Sequence, residues 1–199
     1  MSTKTKIQQS IEQGKPGEFY FAEDFIDITN NEQVRLALSR LSREKILLRV
    51  AQGIYYYPKI DPAIGKVSPG LEEIAYAIAR RDRIKILPTG AYALNKLGLS
   101  TQLPMKVAFL TDGQSRKIKV GKRTLEFINK SPRKMAYEGK ISGPVLIAIE
   151  ELGSKSLTDE LVEDIVKMLQ SEDSNKMLHD MKLAPRWISE KFLPIVNAQ

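Results

Sequence analysis

Apolar residues recur at helical spacing through the first forty positions and then give way to a β-rich pattern. Ile7 and Ile11 stand four apart and predict a helix over 3–13, closed by Gly14-Lys15-Pro16-Gly17. Phe19-Tyr20-Phe21 leads from a loop into a short helix over 22–25, whose aromatics pack on the first. A third helix runs from about residue 31 to 45, with Val34, Ala37, Leu38 and Leu41 on one side at the 3.6-residue period and Asn30 as its N-cap. Residues 46–50 and 54–57 read as strands, joined by Ala51-Gln52-Gly53, a three-residue hairpin connection with glycine last.

Residues 58–69 carry three prolines and a glycine without helical period and read as a linker. A helix follows to about Arg83 with Leu71, Ile74, Ala75 and Ile78 inward, then another from Pro88-Thr89-Gly90 to Leu97, and a turn over 99–102. Three strand-like runs, 106–111, 116–120 and 123–129, predict a small antiparallel meander, the last two joined at Gly121-Lys122. Helices are expected over 144–152, 158–170, 174–181 and 185–196. Trp187 reads as core in the last of them, with Ile188 and Phe192, or as an interface anchor.

The other face of the third helix holds Glu32, Leu36, Ser39, Arg40 and Arg43, with Gln33 and Arg35 at its margins. Arginine can donate two bonds to guanine and glutamine can pair bidentately with adenine, so such a face can read a major groove. Three helices followed at once by a hairpin whose tip offers Arg49 and Gln52 make the order in which a winged helix-turn-helix docks on DNA. The plainer alternative is that helix and hairpin only pack. The expected fold class is α+β: an N-terminal winged helix-turn-helix domain over 1–60 and a C-terminal α/β domain over 61–199, with the meander and a helical tail.

Charge changes this picture more than bulk composition does. The 199 residues are 42% hydrophobic and 28% charged, ordinary for a globular chain, with a formal net charge of +7. Residues 61–140 hold 16 basic against 7 acidic side chains, whereas 141–199 hold 6 against 10. The basic middle centres on Arg116, Lys117, Lys119, Lys122 and Arg123 and suits a polyanion or an acidic protein surface, unless it is only a solvated face. Arg80, Arg81 and Arg83 also suit the negative end of their helix. Absence of cysteine removes disulfides, thiolate nucleophiles and cysteine metal sites. With a polar start and no long apolar run, neither a signal peptide nor a membrane span is expected, and the cytoplasm is the expected compartment.

Catalytic signatures are missing. Gly121-Lys122 has Arg116 where a phosphate-binding loop needs its first glycine and Arg123 where it needs a hydroxyl. His179 is the only histidine, with no recognisable metal or triad partners. Glu72-Glu73 and Glu150-Glu151 are adjacent on helices and so point to different sides. No enzyme activity, cofactor or metal is expected.

Two stretches resemble the AbiEi family, antitoxins of abortive-infection AbiE-type toxin-antitoxin systems. They are Leu38 to Pro58, LSRLSREKILLRVAQGIYYYP, and Ile86 to Pro104, ILPTGAYALNKLGLSTQLP, followed by AFLTDG. The resemblance spans most of residues 3 to 130 and implies a type IV antitoxin. In such a protein a winged-helix domain represses its own operon, and the C-terminal domain opposes a nucleotidyltransferase-like toxin without a stable complex. Carried over to this chain, the DNA-facing set is Gln33, Arg35, Ser39, Arg40 and Arg43 with Arg49 and Gln52. The expected partner is double-stranded operator DNA. The alternative is a protein-binding module whose basic middle directly grips an acidic toxin or another partner.

Overall fold

A computed structural model describes residues 2–99, 101 and 106–197. Of the predicted turn over 99–102, residues 100 and 102 lie outside the described residues. The chain is a mixed α+β protein that divides into two compact units. One comprises Met1–Arg81 with Ile118–Arg123, and the other Asp82–Lys117 with Thr124–Gln199.

In the first unit α1, Thr3–Gln13, is capped by the Ser2 hydroxyl, which accepts the Thr5 N–H, and it buries Ile7 and Ile11 as their spacing predicts. A short strand, β1, Phe19–Tyr20, leads into a 3-10 turn over Ala22–Phe25. α2, Asn31–Arg43, starts where Asn30 Oδ1 accepts the Gln33 N–H at 3.0 Å, and buries Val34, Ala37, Leu38 and Leu41. β2, Leu48–Ala51, and β3, Ile54–Tyr56, form the predicted hairpin around Gly53, whose φ of 71° is the left-handed geometry glycine adopts without penalty. β1 pairs antiparallel with the far edge of β3, giving the order β1-β3-β2. Ile7, Ile11, Phe25, Val34, Leu38, Leu41, Leu47 and Tyr55 meet in one apolar cluster. The helices and sheet thereby leave the opposite side of α2 to solvent.

Residues 58–69 are not a plain linker. β4, Lys59–Asp61, and β5, Gly65–Val67, make an antiparallel hairpin whose turn is stabilised by Asp61 Oδ1, which accepts the N–H groups of Ala63 and Ile64 at 2.8 and 3.1 Å. Pro62 sits in the turn, where its missing N–H costs nothing, so the prolines did not exclude strands. α3, Leu71–Asp82, follows.

A four-stranded sheet has the order β6-β7-β9-β8, with β6 at Ile86–Pro88, β7 at Lys106–Thr111, β8 at Arg116–Val120 and β9 at Arg123–Asn129, and all of it except Ile118–Val120 and Arg123 belongs to the second unit. The predicted antiparallel meander is therefore corrected. β7 runs parallel to β9, with Phe109 opposite Phe127, and β6 runs antiparallel to β7. Burial explains the order. β7 and β9 carry the buried Val107, Phe109, Leu110, Leu125 and Phe127, while the charged β8 takes the edge, where its cations discourage pairing with another chain.

Helix α4, Gly90–Lys96, lies between β6 and β7, and α5, Pro132–Met135, follows β9. α6, Ser142–Leu152, buries every side chain from Ser142 to Ile149 and forms the centre of the second core. α7, Asp159–Leu169, α8, Ser174–Leu183, and α9, Arg186–Asn197, pack around it, and Trp187 is half-buried against the same cluster. Among the described residues no helix is long and apolar enough to cross a membrane.

Candidate nucleic-acid interface

The inward face of α2 is fixed by its four buried apolar residues, and this fixes what the outward face presents. Gln33, Arg35, Arg40 and Arg43 are exposed, and Ser39 is half-buried at the margin. At the adjoining hairpin Arg49 and Gln52 are exposed as well, Arg49 lying in register with Tyr55. Among the described residues none of Arg35, Arg40, Arg43 and Arg49 is held in an ion pair. The nearest acid past the helix end, Glu44, is taken up by Lys4 of α1 at 2.6 Å, which leaves the α2 surface cationic.

Gln33 is less free than its position on the helix suggests. Its Oε1 accepts the Thr29 hydroxyl at 2.6 Å and faces the Thr3 hydroxyl at 3.5 Å. Bidentate pairing with adenine uses that oxygen, and the Thr29 hydroxyl occupies one of its two lone pairs.

The five residues of the basic middle do not form one patch. β8 alternates: Lys117 and Lys119 are exposed, while Arg116, Ile118 and Val120 are partly buried on the other side. Arg116 pairs with Asp82, lies over the Phe127 ring at 5.1 Å and buries its Nε. It is a structural residue, and the shared parity with Ile118 and Val120 was the sequence signal for that. Lys117 bonds Glu126 at 3.1 Å, whereas Lys122 and Arg123 at the turn are exposed.

A cleft of about 340 Å³ in the first unit is lined by Glu18, Phe19, Phe21, Asp24, Ala77, Arg80 and Arg81. Arg81 stacks over Phe21 at 4.6 Å, and burial pushes the Asp24 carboxyl up against the opposing pull of the Phe21 N–H. Two cations facing two carboxylates there offer no net charge to a ligand.

A dense polar cluster of the second unit escaped sequence reading. Asp180 is fully buried and accepts the N–H groups of Glu138 and Gly139 at 2.7 and 2.9 Å and the Ser142 hydroxyl at 2.6 Å. His179 Nδ1 lies 3.1 Å from Asp180 Oδ1, the oxygen that also accepts the Glu138 N–H. This is not a nucleophilic triad. Serine and histidine both bond the aspartate instead of each other, and Ser142 is closed to solvent. Neighbouring Glu172 accepts the N–H groups of Ile141 and Ser142, so two carboxylates hold the loop that opens α6. Burial also pushes the Tyr137 hydroxyl up to about 12, helped by Glu150 and Asp180.

Burial alone raises Glu172, but the N–H groups of Ile141, Ser142 and Asp173 and the Lys176 charge outweigh it and leave the carboxyl below its ordinary value. A carboxyl lowered by folding stabilises above its unfolded value of about 4.3 and loses that contribution as pH falls through the folded value. Thermal unfolding followed by Trp187 fluorescence is expected to show a midpoint that drops as pH goes from about 5 to about 3, and Glu172→Gln is expected to flatten that drop. An equally steep drop in the variant would assign the acid sensitivity elsewhere.

Among the described residues no group of three histidine, cysteine, aspartate or glutamate side chains is arranged to hold a metal ion. Residues 6–177 match DUF6088, a family of unknown function. No curated protein matches the chain.

Proposed function

The chain belongs to the DUF6088 family, and we propose that it is a DNA-binding transcriptional regulator whose first unit acts as a winged helix-turn-helix. The observation that carries this reading is the exposed face of α2, with Arg35, Arg40 and Arg43 outside any ion pair and Arg49 and Gln52 at the adjoining hairpin. α2 is followed by the β2-β3 hairpin, which β1 completes as a sheet of order β1-β3-β2, an arrangement suited to laying α2 in a major groove with the hairpin on the flanking backbone. In this reading the arginines choose sequence and Arg49 sets orientation.

The proposed partner is operator DNA upstream of the chain's own gene, in the cytoplasm. The further proposal, an antitoxin opposing a nucleotidyltransferase-like toxin, draws its support from the AbiEi-like stretches at Leu38 to Pro58 and Ile86 to Pro104. A protein-binding role for the basic middle is supported by fewer side chains than the sequence suggested, since Arg116 is drawn inward and Lys117 is paired.

Fluorescence anisotropy of the full chain on its upstream DNA, across a salt series, tests the DNA reading. With about six phosphates contacted, the logarithm of the binding constant is expected to fall with the logarithm of salt at a slope near −5. A response flat in salt removes the proposal. Stoichiometric co-purification with the neighbouring gene product at moderate salt favours the protein-binding role.

A further inference from the structure

We propose that Leu36 is a specificity-determining residue that recognises the 5-methyl group of a thymine in the major groove; this rests on the DNA-binding reading above. Large apolar side chains exposed among the described residues include Ile26, Leu36, Ile60, Ile64 and Tyr76, and of these only Leu36 lies on α2. It is 53% exposed, and the inward packing of the helix is complete without it, through Val34, Ala37, Leu38 and Leu41.

Its place on the helix gives the exposure a chemical meaning. Gln33, Leu36, Arg40 and Arg43 are spaced three, four and three apart, which sets them in one line along the outward face. The line holds donors for base edges and phosphates with one apolar group among them. The major-groove edges of the base pairs present donors and acceptors throughout and a single apolar group, the methyl of thymine. A leucine set against guanine or cytosine would desolvate polar edges and return no hydrogen bond, whereas against thymine it removes two apolar surfaces from water. The cationic surroundings, with Glu44 neutralised by Lys4, complement phosphates on either side.

Binding sites are selected from a randomised duplex pool by the full-length chain, and each thymine of a selected site is replaced in turn by deoxyuridine, which removes only the methyl. One replacement is expected to weaken wild-type binding about four-fold, the worth of one methyl-sized group taken from water. Leu36→Ala is expected to bind the thymine duplex at least that much more weakly, to be indifferent to the same deoxyuridine, and to keep the wild-type Tm. The wild-type deoxyuridine scan decides the matter even if the variant fails to fold. Selected binding with every deoxyuridine silent, or a Leu36→Ala chain as sensitive as wild type, overturns the assignment while the DNA reading stands. Self-association lost in Leu36→Ala together with a silent scan overturns it in favour of a second copy on this face. Failure to select any duplex overturns both.

Discussion

Replacing Arg40 and Arg43 together by alanine is expected to weaken binding to a selected duplex by about 100-fold to 1,000-fold while leaving the fold intact. Each bidentate arginine contact is worth about 1–3 kcal/mol of discrimination, and the two are three residues apart on one helix, so their losses overlap instead of adding fully. Both side chains are exposed and outside any ion pair among the described residues, so a Tm close to that of wild type is expected. The loss should be selective. Binding to random duplex, which draws on phosphate charge, falls much less than binding to the selected site. Lys122→Ala provides the contrast: an exposed turn lysine outside α2, whose removal is expected to weaken all sequences slightly and alike. Anisotropy titrations on selected and random duplexes measure both ratios. Equal losses on the two duplexes for the arginine pair would take sequence recognition away from α2.

Sequence patterning reached as far as local interactions determine structure. α1 and α2 were legible because each buries a continuous apolar stripe, and the outward set on α2 follows from the inward one by geometry alone. The β2-β3 hairpin was legible through its β-branched and aromatic residues and the glycine of its turn. β1 was not, since two residues cannot display a period of two and the strand exists through its pairing with β3. In the β4-β5 hairpin, the prolines that suggested a linker flank or occupy the turn, and Asp61 supplies the local bonding that makes it. The parallel pairing of β7 with β9 joins segments separated by a whole strand, and adjacent runs in sequence carry no mark of being skipped. Arg116 shows the cost of counting charges without their parity along a strand.

Asp180 was the least legible of all, since its partners lie about forty residues earlier in the chain. Its substitution carries the second large expected effect. Asp180→Ala is expected to destabilise the second unit by about 3–5 kcal/mol, because it removes a fully buried carboxylate and leaves two backbone N–H groups and the Ser142 hydroxyl without their acceptor. The surroundings are closely packed: a Cβ on Gly139 would overlap Ser142 Oγ and come 2.5 Å from Glu172 Oε2 and 2.9 Å from Asp180 Oδ2. Gly139→Ala is therefore expected to be comparably damaging by pushing the same groups apart. Ser142→Ala, which removes one donor along with its own need for a partner, is expected to cost only about 1 kcal/mol. Urea unfolding followed by the sole tryptophan, Trp187, reads the second unit directly because that ring packs on its core. An Asp180→Ala chain with an unchanged midpoint would show that the loop over 138–142 is held by Glu172 and chain packing. The buried carboxylate would then have no structural role to explain it.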